Sequence, residues 1–194
     1  MKKVAAVCLF FALFYIGCDS GSSSTTIDFE LGSDGFVQWY TDDPSYYDTH
    51  SWQLYSNNNG PDTFEIECKK ISGNMANPYG MVFGASNSAA DRYYFIAITV
   101  DGWFIIHKYI GNTDTVIEDW TESSSINTGY NTLNTIKVTR SGTTYTVSLN
   151  DDVVKVFTDN SITGGNRIGF FATVGPQGYE SFPGTPVDVR FRQK

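Results

Sequence analysis

The chain has 194 residues, is 15% aromatic, and carries 13 basic and 21 acidic residues, for a formal net charge of −8. This acidic balance argues against nucleic acid as a partner, because phosphate binding needs clustered Lys and Arg. It equally disfavours electrostatic docking on an anionic bilayer, so membrane attachment would have to be covalent.

The first 17 residues have the organisation of a secretory signal. Two lysines at positions 2 and 3 precede an apolar run over residues 4–16, and Gly17 follows the run. Such a run is typical of a signal peptide and is too short for a transmembrane helix. We therefore expect residues 1–17 to be removed on export. Their removal takes away two basic residues and no acidic one, which changes the formal charge from −8 to −10.

The end of this segment resembles the bacterial lipobox, in which the cysteine after the cleavage site carries lipid. Tyr15-Ile16-Gly17-Cys18 departs from that pattern at Tyr15, where Leu is usual. The resemblance implies three acyl chains on Cys18, and two or more chains anchor a protein stably. Residues 19–26 contain no apolar side chain, so we expect residues 18–26 to be a lipidated cysteine and a flexible tether. The expected location is the bacterial cell envelope, facing the periplasm or the cell surface.

Residues 27–194 are predicted to form one all-β domain. Runs rich in Val, Ile, Tyr, Phe and Thr alternate with clusters of Gly, Asn, Asp and Ser, which is typical of short strands and turns. Asp101-Gly102 predicts a hairpin with a type I′ turn, and Ser141-Gly142 and Asn150-Asp151 predict two more tight turns. The pattern favours an antiparallel sandwich of two sheets. The strands are predicted at Phe36–Thr41, Trp52–Tyr55, Phe64–Ile71, Tyr79–Ala85, Tyr93–Val100, Trp103–Ile110, Val116–Trp120, Thr135–Arg140, Tyr145–Leu149, Val153–Thr158, Arg167–Thr173 and Val187–Phe191.

Cysteine usage predicts a domain without an intrachain disulfide. Once the signal has been removed and Cys18 has been lipidated, only Cys68 remains. Apolar and charged residues alternate over residues 63–69. The alternation predicts that Cys68 is a buried apolar residue and that Glu65 and Glu67 face solvent.

A series of segments matches a known fold family in sequence order. They are Tyr79–Phe83, Tyr93–Ile96, Asp101-Gly102 with Phe104 and Ile106, Asp119–Thr121 with Ile126 and Gly129, Asn134–Val138, Tyr145–Asn150, Arg167–Ala172 and Val187–Phe191. In this order they resemble the concanavalin A-like lectin/glucanase jelly roll, and within it the laminin-G-like branch that includes 3-keto-disaccharide hydrolase domains. The similarity covers roughly residues 60–192. It implies a two-sheet jelly roll from a superfamily of sugar-binding modules, glycosidases and adhesive domains.

Glucanases on this fold carry paired carboxylates on alternate residues of one strand. The nearest candidate in this chain is the segment over residues 118–122, where Glu118 and Asp119 are adjacent and would point to opposite faces. The two histidines, His50 and His107, belong to no recognisable nucleophile motif. The Asp-rich loop over residues 42–50 offers oxygen ligands suited to Ca²⁺ but lacks a defined calcium loop. We therefore predict a solvated acidic loop, no metal site and no cofactor.

The aromatic residues give the stronger functional indication. The resemblance places Phe104 and Ile106 inside the sandwich, so alternation puts Trp103, His107 and Tyr109 on the outer face of the same strand. Either the N-terminal segment covers this outward row, or the row forms a platform on which a sugar stacks. Trp120 is expected to pack structurally. A second aromatic surface at the sandwich edge could be formed by Trp39, Tyr40, Tyr46, Tyr47 and Trp52.

These features predict a lipid-anchored, extracytoplasmic, non-catalytic module that binds a glycan or another polymer. The candidate ligand-binding residues are Trp103, His107 and Tyr109, and the membrane is reached through lipid on Cys18. Two alternatives stay open. A glycoside hydrolase of the 3-keto-disaccharide type would show carboxylates that converge in a pocket. A surface lipoprotein that binds protein would show a large exposed apolar patch away from the concave face.

Overall fold

The computed structural model describes residues 26–56, 62–85, 91–111, 113–162, 165–179, 182 and 184–194. The predicted signal peptide, Cys18 and the tether as far as residue 25 lie outside these residues. Within the part of the chain that is described, no helix is long and apolar enough to cross a membrane.

The described residues form thirteen strands and a short 3-10 turn at Pro44–Tyr46. Each strand predicted from the sequence is present. Tyr79–Ala85 and Trp103–Ile110 have the predicted bounds, the other ten are shifted at one or both ends, and β1 was not predicted. The alternation of Ile27, Phe29 and Leu31 could have revealed it. In chain order the strands are β1 (Thr26–Leu31), β2 (Val37–Thr41), β3 (Thr49–Ser56), β4 (Thr63–Ser72), β5 (Tyr79–Ala85), β6 (Arg92–Ile98), β7 (Trp103–Ile110), β8 (Thr113–Glu122), β9 (Asn134–Ser141), β10 (Thr144–Leu149), β11 (Asp152–Thr158), β12 (Arg167–Val174) and β13 (Val187–Gln193).

The strands form two antiparallel sheets that pack face to face. The seven-stranded sheet has the order β1-β2-β13-β4-β9-β10-β11, and the six-stranded sheet has the order β3-β12-β5-β6-β7-β8. In each sheet a strand from the C-terminal part of the chain lies between strands from the N-terminal part: β13 lies between β2 and β4, and β12 lies between β3 and β5. This is the concanavalin A-like jelly-roll sandwich, so the predicted fold class is confirmed.

The main core lies between the two sheets. Phe170 of the six-stranded sheet stacks on Phe191 of the seven-stranded sheet, with ring centroids 5.0 Å apart. Cys68 is buried in this core as predicted, and burial raises the pKa of its thiol. Trp39 is 0% exposed. Its assignment to a surface at the sandwich edge was wrong, because β2 is an interior strand between β1 and β13 and turns Trp39 towards the other sheet.

Two of the predicted tight turns have the expected backbone. Asn150 and Asp151 have φ angles of 49° and 73°, as a type I′ turn requires, and Gly142 has a φ of 61°. At Asp101-Gly102 only Gly102 has a positive φ, of 99°, and its N–H donates to the carbonyl of Thr99 at 3.3 Å. The type I′ prediction was therefore wrong at this hairpin, whose loop begins two residues earlier.

Candidate functional site

The outer face of the six-stranded sheet carries a second group of packed apolar residues, separate from the main core. We call it the outer-face cluster. An outward sheet face normally carries polar residues that alternate with the core positions. In the described part of the chain, no further layer of strands or helices covers this face. The buried members are Val82, Ala85, Tyr93, Ala97, Ile105 and Phe171, and Trp52, Leu54, Phe95 and Tyr109 pack against them.

A groove of about 220 Å³ lies on the outer-face cluster. Five strands and the residue before β5 contribute to its lining, so that the groove crosses the sheet rather than following one strand. Its volume is below the roughly 300–1,000 Å³ of drug-sized ligand sites, and is suited to a small unit such as one sugar ring. The lining residues are His50, Trp52, Pro78, Tyr93, Phe95, Ile105, His107, Tyr109, Asp114, Trp120, Phe171 and Thr173.

The floor of the groove lies close to the backbone of the sheet, because small residues face outward on β5. Gly80 and Val82 alternate with Tyr79 and Met81, whose side chains belong to the main core. A Cβ atom at Gly80 would lie 2.2 Å from the carbonyl oxygen of Ile96, so the close approach of β6 requires glycine here. The large side chains of the flanking strands therefore rise above a shallow floor and form walls.

Aromatic contacts hold the walls in place. Tyr93 lies against Tyr109 with ring centroids 5.1 Å apart and against Trp52 at 5.5 Å. Phe95 lies almost parallel to Phe171, at 4.7 Å and 14°. Such pairs are favourable in themselves, so the groove is formed before any ligand arrives. Burial, together with the nearby Tyr109 and Asp114, raises the pKa of Tyr93, so its phenol stays neutral and can donate a hydrogen bond.

The main polar group of the groove is the imidazole of His107. Its Nδ1 lies 2.8 and 2.9 Å from the two carboxylate oxygens of Asp114 on β8. An ionised carboxylate can only accept, so Nδ1 carries the hydrogen and donates it. The ring of Phe95 lies 5.0 Å from the imidazole. Nε2 is buried and has no hydrogen-bond partner among the residues that the structure describes.

Two of the three candidate binding residues line the groove. His107 and Tyr109 do so, whereas Trp103 is 39% exposed at the start of β7 and is not part of the lining. On the neighbouring strand β8, Glu122 is the residue paired with Trp103. Trp120, two residues earlier on β8, lines the groove instead of Trp103. The expectation that Trp120 packs structurally was wrong, since 43% of it is exposed. Register shifts between β7 and β8 set its position, and the sequence does not show them.

The described N-terminal strand does not cover the outward row of β7. β1 pairs with β2 in the other sheet, and Phe29 is buried in the main core. Covering of the row by residues 26–31 is therefore contradicted. The groove-lining residues Trp52 and Phe171 were missed as partners of this row because they come from β3 and β12, far away in sequence.

The acidic residues considered as catalytic or metal-binding groups have other roles. Glu118 accepts a hydrogen bond from Lys155, and Asp43 caps the 3-10 turn by accepting from the N–H of Ser45 at 2.8 Å. Among the described residues, no three His, Cys, Asp or Glu side chains are grouped so that they could hold a metal ion. Asp114 is the one carboxylate in the groove lining given above.

The outer face of the seven-stranded sheet is charged instead of aromatic. Glu67 was predicted to face solvent but is only 7% exposed, because the C-terminal strand brings basic partners over it. It accepts a hydrogen bond from Nε of Arg192 at 2.9 Å, and Nζ of Lys194 lies 3.1 Å away. These contacts, that of Arg192 foremost, lower the pKa of Glu67. Arg192 also lies 4.5 Å from the ring centroid of Phe36.

Comparisons with known proteins identify the fold. No family model and no curated protein matches the chain. A β-glucanase from Bacillus licheniformis is 13% identical with a TM-score of 0.58, and the match covers 94% of this chain and 93% of that one. The carbohydrate-binding module CBM66 from Bacillus subtilis is 15% identical with a TM-score of 0.52, over 88% of this chain and 89% of that one. A glycosidic hydrolase is 10% identical with a TM-score of 0.51, over 91% and 96%. These similarities show that the chain has the concanavalin A-like jelly-roll fold.

Proposed function

We propose that this protein is a lipid-anchored module of the bacterial cell envelope that binds a glycan in the groove and does not cleave it. One observation carries the proposal: a preformed groove with aromatic walls lies on the outer face of the six-stranded sheet. A second apolar layer that no described strand or helix covers is typical of a surface that binds a partner or ligand.

The walls of the groove suit the stacking of a sugar ring. Trp52, Tyr93, Tyr109 and Trp120 offer apolar ring surface, on which the C–H groups of a pyranose can pack. Tyr93, Tyr109 and His107 add polar groups that can fix the orientation of hydroxyls. The similarity in fold to a carbohydrate-binding module is in accord with this function.

The carboxylates of the groove favour binding over hydrolysis. Cleavage of a glycosidic bond requires two carboxyl groups that face each other across the bond. Asp114 is the one carboxyl group in the described lining, and both of its oxygens lie within hydrogen-bond distance of Nδ1 of His107. Within the described lining no second carboxylate faces it. The alternative of a 3-keto-disaccharide-type hydrolase therefore has less support, although the fold also occurs in hydrolases.

The protein-binding alternative has one observation in its favour. Met75, Tyr130 and Tyr179 are exposed on loops that touch one another at one end of the sandwich. The hydroxyl of Tyr130 donates to the carbonyl of Gly73 at 2.5 Å, and Nδ2 of Asn74 donates to the carbonyl of Tyr179 at 3.1 Å. If this end binds a protein, Met75→Ser should weaken that complex and leave glycan binding unchanged.

The anchoring part of the proposal rests on the sequence from Lys2 to Cys18. Cys18→Ala should yield a protein that does not label with a fatty-acid probe and that moves from the detergent phase to the aqueous phase. A variant that still labels and still partitions with detergent would contradict lipidation at Cys18.

Glycan binding can be tested on an unlipidated chain that begins at residue 18 and carries Cys18→Ser. We expect saturable binding to at least one polysaccharide in a panel, accompanied by a change in intrinsic tryptophan fluorescence. The change is expected because Trp52 and Trp120 line the groove. Absence of binding across neutral and acidic polysaccharides would contradict the proposal. Turnover of the bound polymer into shorter products would favour the hydrolase.

A further inference from the structure

The tautomer of His107 is fixed by its partner. Nδ1 donates its hydrogen to Asp114, so in the neutral form of the imidazole Nε2 keeps a lone pair and can accept a hydrogen bond there. The carboxylate also holds the plane of the ring, and Phe95 packs against the same ring. His107 therefore presents one acceptor in a defined direction.

The environment of Nε2 distinguishes it from other unpartnered atoms. Three buried side-chain polar atoms lack a hydrogen-bond partner in the described structure: Nε1 of Trp39, Oε1 of Gln53 and Nε2 of His107. Trp39 lies in the main core, and Gln53 pairs with the core residue Phe170. Only His107 lines the groove. A buried acceptor without a partner is unfavourable, so this atom is suited to a donor that the ligand brings.

The charges around the groove restrict the ligand. The described lining includes Asp114 but neither Lys nor Arg. Lys108, next to His107 on β7, points to the opposite face, where its Nζ lies 2.5 Å from Asp159. Arg167 is four residues before Phe171 on β12, outside the lining. A uronate or sulfate in the groove would therefore lie near a carboxylate and lose water without gaining a cation.

We infer that the groove selects an uncharged glycan, and that Nε2 of His107 accepts a hydrogen bond from one of its hydroxyl groups. This inference rests on the proposed glycan binding and adds the ligand's charge class and its polar anchor. Trp52, Tyr93 and Tyr109 supply the stacking surface, and the hydrogen bond to His107 fixes the orientation of the sugar ring on it. Asp114 acts as a positioning residue, because its carboxylate accepts the hydrogen of Nδ1 and holds the imidazole.

Two substitutions at the same position separate the role of Nε2 from that of the ion pair. The amide of Gln reaches about as far as Nε2, whereas the amide of Asn reaches about as far as Nδ1. His107→Gln therefore keeps a polar atom at the anchor and gives up the contact with Asp114. His107→Asn does the opposite. Melting temperatures confirm that both variants are folded, and Trp120→Ala, which removes a wall, reports whether a ligand uses the groove.

The experiment measures binding of the unlipidated chain with Cys18→Ser to neutral polymers (β-glucan, xylan, mannan and fructan) and to acidic ones (alginate, polygalacturonate and heparin). We expect a neutral polymer to bind and the acidic ones to fail. His107→Asn should weaken that binding at least tenfold, and His107→Gln should stay within about threefold of the unsubstituted chain, since one lost hydrogen bond in a buried site is worth about a factor of ten.

Three results would overturn the inference. If an acidic polymer binds and Trp120→Ala abolishes that binding, the groove is a glycan site but the charge class is wrong. If a neutral polymer binds through Trp120 while both His107 variants bind normally, Nε2 is not the anchor. If no polymer binds at all, the proposed function fails together with the inference.

Discussion

The two outer faces of this sandwich are built from opposite chemistry, although they enclose a common core. On the seven-stranded sheet, Glu67 is covered by Arg192 and Lys194, so the face satisfies its charges within itself. On the six-stranded sheet, Tyr93, Phe95 and Phe171 form an apolar layer that carries a groove, and a ring nitrogen there has no hydrogen-bond partner among the described residues. The charged groups named on the first face are paired with one another, whereas the second face presents apolar surface and a hydrogen-bond acceptor to a ligand.

This difference indicates where a ligand is to be expected. A face of paired charges offers little to a neutral partner, since each new contact must replace an existing one. A preformed aromatic groove offers apolar surface on which a ligand can stack, and its polar acceptor gains from a donor.

The largest expected effect is on the stability of the apolar face. Phe171→Ala should lower the free energy of unfolding by about 3 kcal/mol, because Phe171 is buried against Phe95 even though it points away from the main core. Val156→Ala on the exposed edge strand β11 is the control and should change stability by less than about 0.5 kcal/mol. Chemical denaturation measures both. Equal, small effects would mean that the outer-face cluster is not packed.

The second effect distinguishes two tryptophans on the apolar face. Trp120 and Trp103 have similar exposure, but only Trp120 lines the groove. Trp120→Ala should weaken binding of a short oligosaccharide at least tenfold, because it removes an aromatic wall on which a sugar ring can stack, and tryptophans are among the residues whose loss costs most at binding sites. Trp103→Ala should change it less than twofold. Calorimetric titration of the two variants measures the difference, and the reverse order of effects would place the site at the start of β7.

The smallest effect concerns the charged face. The lowered pKa of Glu67 means that its carboxylate is bound more favourably in the folded state, so its contribution is complete above the unfolded value of about 4.3 and is lost as pH falls through the folded value. Glu67→Gln should cost about 1 kcal/mol at neutral pH, because Arg192 and Lys194 remain partly solvated. It should also flatten the fall in stability below pH 4.3.

A substitution of Arg192, the partner of Glu67, is the matched variant for Glu67→Gln. Arg192→Met should flatten the same part of the stability curve, since the hydrogen bond from Arg192 is the main cause of the lowered pKa. Urea denaturation from pH 7 to pH 3 gives these curves. Variant curves that run parallel to that of the unsubstituted chain would show that Glu67 gains nothing from its partners.

The contrast between the faces was only partly visible in the sequence. Period-two alternation identified the strands and placed His107 and Tyr109 on an outer face, because alternation is a local property. Predicting the groove would also have required the order of the strands in the sheet and their register. Trp52 and Phe171 join it through the position of β12 between β3 and β5, and Trp120 joins it through the register shifts of β8.

The same limit explains the errors in the seven-stranded sheet. Glu67 occupies an outward position, as alternation predicted, but its burial depends on Arg192, which lies 125 residues later in the chain. Trp39 has a local pattern that fits an edge strand as well as an interior one, and only the sheet order shows that β2 is interior. Contacts between strands distant in sequence thus determine both the groove and the paired charges.

The most direct test of the account maps the ligand onto one of the two faces. The unlipidated chain carrying Cys18→Ser, labelled with nitrogen-15, is titrated with the neutral glycan found in the panel, and amide chemical shifts are followed by NMR. We expect the largest changes in β3, β6, β7, β8 and β12, around His107 and Tyr109. Largest changes on the outer face of the seven-stranded sheet around Glu67 and Arg192, or at the loops that carry Met75 and Tyr179, would contradict the account.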